Sequence, residues 1–171
     1  EWWSGGLPDQ PQPNTVESAA RNVRLSFSGK TLKLVSTAGP YQTTITCAGY
    51  ADSFGVILSN GERVASVIEG FTIKKCGRTY NQNMPGGELS SGGIRVMGDN
   101  HDLAGMTMRY MIFTENAGLN GAAVGVSSAQ VHMIRVLLRD NHAGASGGAI
   151  YVSSTAVRTS TMWMVECLVS G

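Results

Sequence analysis

One spacing recurs through this 171-residue chain and limits what it can fold into. Ile68, Phe71, Ile73 and Cys76 are separated by three, two and three positions. The same steps link Met108, Met111, Phe113 and Asn116, then Met133, Val136, Leu138 and Asn141, then Met162, Val165, Cys167 and Ser170. The copies begin 40, 25 and 29 residues apart, within the range of periods that marks repeat architectures. Ahead of each of the last three copies lies a second element with apolar residues at alternate positions: 93–96, 123–126 and 149–152.

Alternation at every second position makes one face of a β-strand, because successive side chains point to opposite sides. A step of three between inward residues leaves two consecutive side chains pointing outward, which turns a corner in the chain. Glu69-Gly70, Arg109-Tyr110, Ile134-Arg135 and Trp163-Met164 are placed at that corner. Short strands repeated every 25 to 29 residues, with like residues stacked at roughly 4.8 Å, define an all-β, right-handed parallel β-helix. The predicted interior columns are Ile68/Met108/Met133/Met162, Phe71/Met111/Val136/Val165 and Ile73/Phe113/Leu138/Cys167. A fourth column, Cys76/Asn116/Asn141/Ser170, ends each strand with a small polar residue and is predicted to be a structural ladder.

Strands are expected at 31–35, 43–47, 54–58, 67–73, 93–97, 106–113, 123–126, 131–138, 149–152 and 162–168, each bounded by turn-forming residues. Residues 1–13, with prolines at 8, 11 and 13, read as an extended arm or linker. At 14–23, Asn14 and Glu17 have the form of a capping box. Val16, Ala19, Ala20 and Val23 share one helical face, so a short capping helix is predicted there. The domain organisation is therefore an arm at 1–13 and a single β-helix domain at 14–171, with a loop insertion at 77–90. The domain is expected to be a fragment of a longer chain, with more chain or another subunit covering its end.

Lys and Arg total 13 against 12 Asp and Glu, so the charge balance gives no footprint for nucleic acid, and no partner of that kind is expected. No run approaches the roughly 18 to 20 apolar residues of a membrane span. Of the three cysteines, Cys167 falls in an interior column, while Cys47 and Cys76 can reach adjacent coils, where a disulfide between them is compatible with the fold. None has zinc-site spacing, and neither a metal nor a cofactor is implied.

The stretches GKTLKLVSTAGPYQTTITCAGY, VIEGFTIKKCG and SGGIRV resemble the opening of pectin-lyase-like right-handed β-helix proteins. Gly147-Gly148-Ala149-Ile150 and Phe113-Thr114-Glu115-Asn116 resemble the GGA[ILV] and FxxN repeats of polymorphic outer-membrane proteins and related surface proteins, with degenerate copies at Gly121-Ala122-Ala123-Val124 and Leu138-Arg139-Asp140-Asn141. The resemblance covers residues 29–171 and carries coil geometry more than function. It implies an extracellular or cell-surface protein, acting as an adhesin or as a structural part of an assembly. Some members of that superfamily instead cleave polysaccharides.

Cleavage of acidic glycans needs converging carboxylates, or bound calcium with a basic residue nearby. Asp99, His101 and Asp102 form the nearest polar cluster, in a turn where such residues are also favoured for backbone reasons. Arg95, Arg109, Arg135, Arg139 and Arg158 would make an outward stripe if the coils stack in register. The expectation is a non-catalytic structural or adhesive module whose partners are neighbouring subunits or further coils, with glycans as additional candidates. A polysaccharide lyase or glycosidase is the alternative, and a non-catalytic glycan-binding module the further one.

Overall fold

The computed structural model describes residues 22–47, 53–77, 91–98 and 104–171. The arm at 1–13, residues 14–21 of the expected helix, and 78–90 of the expected loop insertion lie outside the described residues. Among the described residues every regular element is a strand.

Three strands make up each turn of the chain, and the succession repeats five times. The first turn contains β1 (Asn22–Ser26), β2 (Lys33–Val35) and β3 (Thr44–Thr46), and the second β4 (Ser53–Leu58), β5 (Val67–Glu69) and β6 (Thr72–Lys74). The third contains β7 (Ile94–Met97), β8 (Ala104–Arg109) and β9 (Ile112–Thr114). After β10 (Ala117–Asn120) come β11 (Val124–Ser127), β12 (Ala129–Ile134) and β13 (Leu137–Arg139). After β14 (His142–Ser146) come β15 (Ile150–Ser153), β16 (Thr161–Val165) and β17 (Leu168–Ser170).

The first strands of the five turns form one sheet, β1-β4-β7-β11-β15, the second strands another, β2-β5-β8-β12-β16, and the third strands a third, β3-β6-β9-β13-β17. All pairings are parallel, and β10 pairs with β14 in a small fourth sheet. This all-β stack of parallel sheets is compatible with a parallel β-helix.

Register superposes like residues. In the first sheet Leu25, Val56, Ile94, Val124 and Ile150 align. In the second, Leu34, Ile68, Met108, Met133 and Met164 align, and in the third Ile45, Ile73, Phe113, Leu138 and Val169. The middle members of these columns are wholly buried and belong to one apolar core. Burying a side chain of this kind contributes roughly 1.5–3 kcal/mol, so the columns are the main source of cohesion between turns.

The last turn departs from the sequence columns. Met133 pairs with Met164 instead of Met162, Leu138 with Val169 instead of Cys167, and Ser170 lies beside Arg139 instead of extending the ladder below Asn141. The Leu168 amide bonds the Val136 carbonyl, as Leu137 bonds Met111 and Ile112 bonds Phe71, which puts Cys167 in the position expected for Val165. The physical reason lies at the corner. Gly70, Tyr110, Arg135 and Glu166 all have left-handed backbone (φ 81°, 50°, 55° and 53°), so the corner of the last turn is at Glu166 and not at Trp163-Met164. Because nearly every residue of MWMVECLV is apolar or small, hydrophobic spacing fits both frames, and the corner selects one.

Two further differences concern elements. Asn22 and Val23, the end of the expected helix, belong to β1, where they pair with Ser53 and Phe54. The runs 67–73, 106–113, 131–138 and 162–168 each divide into two strands at the corner.

Glycines recur where adjacent turns approach closely. A Cβ on Gly93 would lie 2.3 Å from the Ala123 carbonyl oxygen, and one on Gly92 2.2 Å from that of Cys76. The Gly92-Gly93 pair before β7 is thus required by the backbone of the neighbouring turns.

Candidate functional site

The most organised polar feature is the ladder at the end of the third sheet. Lys75, Glu115 and Asp140 take left-handed backbone (φ 55°, 55° and 54°), which swings the next residue back toward the interior. Those next residues are Cys76, Asn116 and Asn141, all buried. The Asn116 carboxamide oxygen accepts the Cys76 N–H at 3.1 Å, and its nitrogen donates to the Ile73 carbonyl at 3.0 Å and to Asn141 Oδ1 at 3.0 Å. Asn141 repeats the arrangement one turn on: Oδ1 accepts the Asn116 N–H at 3.2 Å, and Nδ2 donates to the Phe113 and Arg139 carbonyls. Each carboxamide therefore bridges its own turn to the preceding one, in a setting where an unpaired polar group is costly.

The ladder starts in a covalent bond. Cys47 and Cys76 form a disulfide with Cα atoms 4.6 Å apart, 29 residues apart in sequence, joining the first turn to the second. Both are almost wholly buried. Cys167 is free and partly buried, its thiol facing the Met133 and Val165 carbonyls.

Glu62 was not singled out by any sequence signal, yet it is wholly buried. Its carboxylate accepts the Gly29 and Asn60 N–H groups, both at 2.9 Å, clamping the turn after β1 to the turn after β4. Thr107 donates to the Val64 carbonyl at 2.9 Å and Thr72 to the Pro40 carbonyl at 2.6 Å. These buried polar side chains all serve backbone atoms of other segments.

On the outside, Arg135 joins a row of corner residues on successive turns. Its guanidinium donates to Glu166 and, at 2.7 Å, to the Tyr110 hydroxyl, and it lies 5.4 Å from the Tyr110 ring centre. The hydrogen bond from Arg135 holds the Glu166 carboxyl below its ordinary pKa, and that bond raises the Arg135 guanidinium. At the other corner Lys75 pairs with Glu115 at 3.5 Å, with both side chains about half exposed. On the outer face of the second sheet, Trp163 stands edge-on to His132 with ring centres 4.7 Å apart.

The five arginines do not form one stripe. Arg95 is buried, bonded to Met97 and 5.9 Å from the Phe54 ring centre. Arg109 aligns with Glu69 and Ile134, one place out of step with Arg135, while Arg139 ends β13 in the third sheet and Arg158 follows β15. Asp99, His101 and Asp102 lie outside the described residues. Among the described residues no group of three or more His, Cys, Asp or Glu side chains is placed to hold a metal ion, and no helix is long and apolar enough to cross a membrane. Compared with protein-family models, curated proteins and solved structures, the chain matches none.

Proposed function

We propose that this chain is a non-catalytic structural or adhesive module built as a right-handed parallel β-helix of pectin-lyase-like type, with coils of the polymorphic outer-membrane kind. It works outside the cell or on its surface, within a larger assembly whose other members are neighbouring subunits or further coils. The observation that carries this reading is where the buried polar chemistry is directed. Glu62, Thr72, Thr107, Asn116 and Asn141 bond backbone atoms of other segments, so they hold one turn to another. The Cys47–Cys76 disulfide supports an oxidising, extracellular setting, because such bonds persist where thiols are not kept reduced.

Two measurements test the reading. Acid-quenched thiol labelling of the protein taken from its natural setting is expected to modify Cys167 and leave Cys47 and Cys76 blocked; full labelling of all three would argue for a reducing compartment. Incubation with acidic polysaccharides, with and without calcium, is expected to give no cleavage. Turnover abolished by Asp99→Ala or Asp102→Ala would replace the proposal with the lyase or glycosidase alternative.

A further inference from the structure

In an Asn-Gly pair the side-chain carboxamide and the following backbone nitrogen can meet with little hindrance, because glycine carries no side chain and turns freely. The chain holds two such pairs, Asn60-Gly61 and Asn120-Gly121, and the fold treats them differently.

Asn120 ends β10, where it pairs with Ser146. The Gly121 N–H is committed to the Ser146 carbonyl at 3.0 Å. A Cβ on Gly121 would lie 2.4 Å from the Tyr151 nitrogen, so this backbone is also packed closely against the next turn. The Gly121 nitrogen can reach the Asn120 side chain only after that pairing opens.

Asn60 lies outside any strand, in the turn after β4, and is exposed. Among the described residues neither its carboxamide nor the Gly61 N–H has a hydrogen-bond partner. Both groups are therefore available to each other without breaking a bond.

The surroundings of this turn are not so free. The Asn60 N–H donates to Glu62 Oε2, and the Gly29 N–H donates to Glu62 Oε1, each at 2.9 Å. Glu62 is wholly buried, and a Cβ on Gly29 would lie 2.9 Å from the Asn60 carbonyl oxygen. A change in the main chain at Asn60-Gly61 is thus passed directly to the clamp between the first and second turns.

We propose that Asn60 is a site of covalent modification by water, deamidation through a cyclic imide, from which the fold protects Asn120. The Gly61 nitrogen attacks Asn60 Cγ, forming an N–Cγ bond. The Cγ–Nδ2 bond breaks, and the departing nitrogen takes up the Gly61 proton and leaves as ammonia. Water then adds to one of the two imide carbonyls and opens the ring, with no change of oxidation state. Opening at Cγ gives aspartate with the main chain unchanged. Opening at the backbone carbonyl gives isoaspartate, which routes the main chain through Cβ and Cγ and so inserts one carbon between the Asn60 N–H and Glu62. Both products also set a new carboxylate two residues from the buried one. The modification accumulates with the age of the protein and loosens the clamp, whatever assembly the chain serves.

The test uses the whole chain, incubated at mildly alkaline pH and sampled over time by peptide mapping with mass spectrometry and isoaspartyl methyltransferase labelling. In the folded protein Asn60 is expected to convert roughly tenfold or more faster than Asn120, the factor set by the hydrogen bond and strand pairing that protect the second site. In urea with the disulfide reduced, the two rates are expected to converge. Asn60→Gln, at a side chain that makes no bond, is expected to leave the circular dichroism unchanged and to remove the labelling. The isoaspartyl form, separated by anion exchange, is expected to unfold at lower urea than the parent, and Asn60→Asp, which adds the charge without the extra carbon, is expected to fall between them. Equal conversion of the two sites in the folded protein overturns the proposal, as does conversion of Asn120 first. An Asn60 that stays intact in the folded protein while the unfolded chain converts also overturns it. An isoaspartyl form as stable as the parent overturns the link to the clamp.

Discussion

Replacing Asn116 with alanine is the sharpest perturbation of the interior. The side chain is 1% exposed and makes three bonds that alanine cannot make. Two of the partners, the Cys76 N–H and the Ile73 carbonyl, would be left buried, at about 1–3 kcal/mol each. The third, Asn141 Oδ1, keeps the Asn116 backbone N–H at 3.2 Å, so its loss costs about 0.5–1.5 kcal/mol. The sum is about 2.5–7.5 kcal/mol, a large part of the roughly 5–15 kcal/mol of a typical domain. Urea unfolding followed by far-UV circular dichroism gives the midpoint shift, and Asn141→Ala alone and combined with Asn116→Ala completes a cycle. The two losses are expected to be non-additive, since the residues share a bond. An Asn116→Ala protein within about 1 kcal/mol of the parent, or additive losses, would refute the ladder, because an exposed or isolated asparagine behaves in that way.

Reduction of Cys47–Cys76, or Cys47→Ser with Cys76→Ser, is expected to cost about 3–4 kcal/mol by freeing a loop of 29 residues in the unfolded chain, measured by the same unfolding experiment with and without reductant. Met133→Ala, at a wholly buried column position, should lose about 2–5 kcal/mol, while Met164→Ala, at a position 42% exposed, should lose clearly less. In Gly93→Ala the new Cβ would lie 2.3 Å from the Ala123 carbonyl oxygen, so a stability loss well beyond the ~1 kcal/mol typical of point mutants is expected, read as a lowered thermal midpoint. The Glu166 carboxyl is held low by Arg135, so the pair's stabilisation is present above the ordinary carboxylate range and is lost as pH falls through the depressed value. A carboxyl NMR titration should find Glu166 below an ordinary glutamate, and Arg135→Gln should move it up; an unchanged midpoint in the variant would disprove the coupling.

The second, third and fourth turns were legible because their inward residues alternate with polar ones and end in Cys76, Asn116 and Asn141, which fixes the frame. The fifth was not. Its run Met162 to Val169 is apolar at both parities, and the corner that fixes the frame is a left-handed Glu166 that no residue preference announces. β10 and β14 were missed for a different reason: AGLN and HAGAS carry no β-branched residue and are mostly small, so nothing local marks them as strands, although Ala117 and His142 come into register on neighbouring turns. Glu62 follows Asn60-Gly61, an ordinary turn signal. Its burial depends on the turn at Gly29, more than thirty residues away, which local spacing does not encode. The arginine stripe failed because even spacing in sequence did not mean equal register: Arg109 and Arg135 are one place apart, and Arg95 is buried, its guanidinium over the Phe54 ring.

Methyl-to-methyl contacts among the methionines measure the stacking most directly. In a sample labelled at the methionine methyls, nuclear Overhauser spectra should link Met108 to Met133 and Met133 to Met164, neighbours on successive strands about 4.8 Å apart. Met162 should instead contact Val131. Cross-peaks from Met133 to neither Met108 nor Met164 would mean that the turns do not pile up along one axis.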